Sequence, residues 1–71
     1  MEVTIKTDVL IASWMSFTQL TGMSPEGRAF LHESLNAEPW QWQGETIAID
    51  SRFASDIIEG MKDAGLTVLL Q

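Results

Sequence analysis

Seventy-one residues carrying ten acidic side chains against four basic ones make a chain of net charge −6, with one histidine and no cysteine. This length predicts one domain over 1–71, whose core would rarely supply more than roughly 3–5 kcal/mol, with no disulfide to reinforce it. The charge argues against direct binding to nucleic-acid phosphates, which needs clustered Lys and Arg, and equally against anionic membranes.

No apolar run reaches the ~18 residues that span a bilayer. The start, Met1-Glu2-Val3-Thr4, lacks the basic-then-apolar order of a secretory leader. Small secreted domains usually carry bridges, and this chain has none. A cytoplasmic location is expected.

Glu2 to Lys6 alternates apolar and polar residues and predicts a short strand. Residues 9 to 20 support two readings. As a helix capped by Asp8 they place Leu10, Ile11, Trp14, Met15 and Phe17 on one side. As a strand they place Val9, Ile11, Met15 and Phe17 on one face, interrupted by Ser13. Their β-branched and aromatic content, with few charges, tips the balance to a strand.

Ser24-Pro25-Glu26 is a strong helix start, with Ser as the cap, Pro at the first helical position and an acid in the first turn. This helix should run to about Leu35 with Phe30, Leu31 and Leu35 inward and Arg28, His32 and Glu33 outward; Pro39 prevents continuation.

Trp40 to Ile49 predicts a hairpin closed by Gly44-Glu45 in a type II′ turn. That register pairs Gln43 with Thr46, Trp42 with Ile47, Gln41 with Ala48 and Trp40 with Ile49. Both tryptophans then share the core face with Ile47 and Ile49. A second helix begins at Asp50 or Ser51. Phe53, Ile57, Met61 and Ala64 form its apolar stripe, widened by Ala54 and Ile58. Gly60 lies inside it, where close packing against the sheet is the simplest reason for a glycine and a partner's backbone lying against it the alternative. Gly65 suits the left-handed residue that ends it, and Leu66 to Leu70 closes the domain as a strand.

The order strand, helix, hairpin, helix, strand is the split βαβ arrangement of ferredoxin-like domains. The expected fold is α+β: a two-layer sandwich of an antiparallel or mixed sheet with two helices on one face. Residues 9 to 20 would supply an extra strand or helix.

No residue set supports catalysis. His32-Glu33-Ser34-Leu35-Asn36 opens like the zinc-protease pattern, but Asn36 stands where the second histidine must be. No Ser lies in a Gly-x-Ser-x-Gly setting, no Gly-rich loop cradles phosphate, and no alternating acids frame a calcium loop. The expectation is a non-enzyme without metal or cofactor.

Asp56, Glu59 and Asp63 recur at i, i+3 and i+7, a row along one helix flank, and Asp50 and Glu45 extend acid toward the hairpin tip. Such carboxylates can compete for the Lys and Arg groups that normally hold phosphates. In size, charge and lack of catalytic groups the chain is similar to small acidic inhibitors of phage or plasmid origin, anti-CRISPR proteins among them. That likeness is one of class, not of residues.

The leading expectation is therefore a non-catalytic inhibitor or modulator whose partner is a basic, nucleic-acid-handling protein. The alternative is a homo-oligomeric accessory module, a homodimer for example, joined by strand pairing through 66–70 or the first strand. A third possibility is a small-ligand module using the sheet face.

Overall fold

Residues 9 to 22 form a hairpin in the computed structural model, which describes residues 6–70. Its strands are β1 (Val9–Trp14) and β2 (Phe17–Gly22), antiparallel from Val9↔Gly22 to Trp14↔Phe17. Two residues, Met15-Ser16, make the turn, and Met15 takes a positive φ of 55°. The strand reading of 9–20 holds over the helical one, but the segment folds back on itself. Asp8 caps no helix here.

Next come α1 (Pro25–Ser34), a 3-10 turn (Pro39–Gln41), β3 (Trp42–Gln43), β4 (Thr46–Asp50), α2 (Ser51–Asp63) and β5 (Val68–Leu70). The sheet order is β3-β4-β2-β1-β5. All neighbours are antiparallel except β1 and β5, which are parallel. β4 therefore runs parallel to β5, with β2 and β1 between them and α2 as the crossover.

The result is an α+β fold in which the described residues form a five-stranded mixed sheet and two helices. Among the described residues the order is β-β-α-β-β-α-β, which does not confirm the ferredoxin-like β-α-β-β-α-β expected. The difference among the described residues lies at 9–22, where an extra strand or helix over 9–20 was expected and a two-stranded hairpin forms. The predicted strand at 2–6 lies outside the described residues apart from Lys6, which has no regular structure.

Alternation decides which sheet face is covered. The register sets Val9, Ile11, Leu20 and Ile47 on one face with Trp42, Ile49 and Val68. Leu31 of α1 and Met61 of α2 complete the buried cluster, so both helices lie over that face. The opposite face carries Leu10, Ala12, Gln19, Thr21, Gln43, Thr46 and Ala48, and no described helix covers it. No described helix is long and apolar enough to cross a membrane.

α1 forms as expected: the Ser24 hydroxyl accepts from the Gly27 N–H at 2.9 Å, and Pro25 occupies the first turn. Gly27 also lies against the Asp8 backbone, where a Cβ would collide with the carbonyl oxygen.

Asp8 ties three segments together. Its carboxylate accepts from the Ser24 hydroxyl at 2.6 Å and from the Thr67 N–H at 2.8 Å. Its carbonyl accepts from the Met23 and Ser24 N–H groups. These bonds hold the Asp8 carboxyl below its usual range, the Ser24 hydroxyl bond contributing most.

The second hairpin keeps only half of its expected register. Trp42↔Ile47 and Gln43↔Thr46 pair as predicted, and Gly44 has the positive φ (61°) that a type II′ turn needs. Beyond Gln41 the ladder stops, because residues 39–41 coil into the 3-10 turn. There the Gln41 side chain accepts from the Glu38 N–H at 2.7 Å. Trp40, expected beside Trp42 in the core, is instead 80% exposed.

In α2, Ala54 and Met61 are buried and Ile57 and Ile58 half-buried, whereas Phe53 and Ala64 lie in solvent despite their place in the apolar stripe. Gly60 faces the Phe30 ring of α1 and not the sheet, at 3.3 Å from where its Cβ would be.

Candidate functional site

The inner side of α2 is fixed by Ala54, Ile57, Ile58 and Met61, which turns Asp56, Glu59 and Asp63 to solvent. Residues three and four apart on a helix are roughly 5–6 Å neighbours, so the three carboxylates line one flank. Among the described residues none of them joins an ion pair; the pairs present are Lys6–Glu26, His32–Glu45 and Arg52–Asp50.

The other two acids do not continue this row. Asp50 is the α2 cap: its carboxylate accepts from the Arg52 backbone N–H at 2.8 Å and from the Arg52 guanidinium at 3.1 and 3.2 Å. Those bonds, the guanidinium first, hold the Asp50 carboxyl low and raise Arg52 in turn. Glu45 lies at the far end of β4, about 17 Å away along a five-residue strand, with its carboxylate 3.7 Å from His32 Nε2. The expected set of five therefore divides into three unpaired carboxylates and two engaged ones.

His32 was expected to be simply solvated. Its ring stacks on Trp42, with centroids 4.1 Å apart and planes 18° from parallel. It remains about half exposed beside Glu45. Among the described residues no three metal-ligating side chains come together.

The open sheet face holds a pocket of about 140 Å³ lined by Gln19, Trp40, Gln41, Gln43, Thr46 and Ala48. Gln19↔Ala48 and Gln43↔Thr46 are cross-strand pairs that make its base, and the 3-10 turn adds Trp40 and Gln41. No lining residue is ionisable. Pro39 is the signal that could have revealed this arrangement: with no N–H to give a ladder and a preset φ, it opens a turn. The Glu38…Gln41 spacing supplies that turn's capping pair.

The β1–β2 tip carries a second exposed group. Trp14 is 71%, Met15 89% and Phe17 55% exposed. The Ser16 carbonyl accepts from the Ser51 N–H at 2.8 Å, and the Thr18 and Ser51 hydroxyls share a bond of 2.9 Å, which ties the tip to the start of α2.

No family model matches the chain, and no curated protein or solved structure matches it.

Proposed function

We propose that this is a non-catalytic interaction protein whose α2 flank docks on a basic surface of a nucleic-acid-handling protein in the cytoplasm and blocks or modulates it. This is how small acidic inhibitors of phage or plasmid origin, including anti-CRISPR proteins, would act. The observation that carries the reading is the row Asp56, Glu59 and Asp63, exposed on a helix that the core holds rigidly and without an ion-pair partner among the described residues. Carboxylates already committed within the fold would have to break those bonds before engaging a partner; these three do not. A field of net charge −6 adds long-range attraction toward Lys- and Arg-rich surfaces and speeds encounter.

The test is retention of host proteins on immobilised chain, comparing the native sequence with the double variant Glu59→Lys/Asp63→Lys. The native chain should retain a basic nucleic-acid-handling protein that the variant loses, and retention should weaken as salt rises. Equal retention by both, with unchanged melting temperature, rejects the α2 flank as the docking surface.

A second reading is a homo-oligomer joined through β5. β5 ends the sheet among the described residues, with Leu69 51% and Leu70 70% exposed. An apolar terminal strand is a template for pairing. Sedimentation at several concentrations decides this: a monomer at every concentration rules it out.

A further inference from the structure

The pocket on the open sheet face has a lining that restricts what it could hold. Gln19 and Gln43 bring side-chain amides that form no hydrogen bond with protein groups among the described residues. Gln41 uses its Oε1 on the Glu38 N–H, which leaves its NH₂ to donate. The Thr46 hydroxyl shares a bond of 2.8 Å with Thr21 and keeps further capacity. Beside these polar groups stand the broad, exposed ring of Trp40 and the Ala48 methyl.

Charge narrows the ligand. An anion would find no cation in this lining and would meet the repulsion of a protein at −6. A cation is better served by the unpaired carboxylates on α2 than by neutral amides. A wholly apolar ligand would strip water from the glutamines and replace none of their hydrogen bonds. A neutral, polar ligand with one flat face fits this lining, and one with many hydroxyl groups matches its several amides.

A pyranose ring has this chemistry. The C–H bonds of one face pack on an indole, while hydroxyls, each both donor and acceptor, match amides that offer both functions. The volume, about 140 Å³, is below the roughly 300–1,000 Å³ of pockets that enclose drug-sized ligands. It suits one ring, with the rest of a chain passing over the open sheet.

We propose that the Trp40–glutamine pocket is a binding site for a single neutral sugar ring. It lies across the sheet from the α2 flank and is independent of the docking reading. A shallow one-ring site half open to water should bind at about 1 mM or weaker.

The experiment is NMR titration of ¹⁵N-labelled chain with the methyl glycosides of glucose, galactose, mannose and N-acetylglucosamine, and with maltose and cellobiose, each to about 50 mM so that millimolar binding saturates. Adenosine, uridine and arginine serve as rival probes. The expected result is a saturable shift of the Trp40 indole N–H and the Gln19 and Gln43 side-chain amides with at least one sugar. That affinity should weaken tenfold or more in both Trp40→Ala and Gln43→Ala, two exposed positions whose truncation leaves the backbone spectrum unchanged, while Trp40→Phe retains part of it. No saturable shift with any sugar overturns the proposal, as does sugar binding that survives Trp40→Ala. Saturable binding of adenosine, uridine or arginine without any sugar also overturns it, by assigning the indole face to another chemistry.

Discussion

The two ends of the β1–β2 hairpin are built on opposite principles. At the Asp8 end every polar group of that residue is engaged: carboxylate, carbonyl and N–H join β1 to the start of α1 and to the approach of β5. At the Met15 end the backbone takes a positive φ on a side chain that disfavours it, and Trp14, Met15 and Phe17 stand in solvent. One end closes a sequence separation of 59 residues by pairing the Asp8 carboxylate and N–H with the Thr67 backbone. The other spends conformational energy on a two-residue turn that displays apolar groups. The first end is held by hydrogen bonds between distant segments, and the second carries a backbone cost that its exposed side chains do not offset by burial.

Substitutions can sharpen that contrast. The largest effect is expected from Gly27→Ala, whose new methyl collides with the Asp8 carbonyl. Displacing the Asp8 backbone should cost about 3 kcal/mol, more than the ~1 kcal/mol that Ala gains in a helix, read as a lower urea midpoint. Ser24→Ala removes both the α1 cap and the hydroxyl bonded to Asp8. A loss of about 1–2 kcal/mol by the same measurement is expected.

The Asp8 carboxyl gives the closed end a pH signature. Its folded pKa is held below its unfolded value, so its contribution is fully present above the ordinary carboxylate range. It is lost as pH falls through the folded value. Asp8→Asn should be less stable at neutral pH and lose less on acidification than the native chain. Melting curves from neutral to acid pH that keep a constant gap between the two proteins would break the account. Glu26 and Asp50, also held low by hydrogen bonds, act in the same direction and remain in the variant.

At the tip the sign reverses. Met15→Gly should raise stability by up to about 1 kcal/mol, since relief of a strained left-handed residue exceeds the entropy that glycine loses on folding. A destabilised variant would mean that Met15 packs more than its exposure shows. The smallest effect belongs to Glu59→Lys/Asp63→Lys, which should stay within about 0.5 kcal/mol of the native chain at either end's expense, as seen by thermal melting.

Much of the architecture was legible wherever a backbone signal was local. Ser24-Pro25 marked α1, Gly44 marked the β3–β4 turn, and Trp42 and Ile47 set its register. The Met15-Ser16 turn was not legible, because neither residue is one that a positive φ selects for. The pocket was hidden by the same logic inverted: the alternation of Trp40 and Trp42 suggested a continuous strand, and Pro39, immediately before Trp40, had already broken it. Within the acid set, spacing alone identified the α2 row. Whether Asp50 and Glu45 belonged with it depended on Arg52 and His32, and the distance of His32 in the chain from Glu45 gave no warning of that pairing.

Local chemistry by itself determined where helices start, where one turn lies and that the molecule is acidic with few basic groups. Those properties depend on neighbours within four or five residues, and a sequence displays them directly. Only the tertiary structure decided that 9–22 doubles back beside β4, that Asp8 joins segments far apart in the chain, and that Trp40 borders a neutral pocket on the uncovered sheet face. Such outcomes depend on which distant groups find each other once the apolar surface is buried, and no single stretch of chain contains that information.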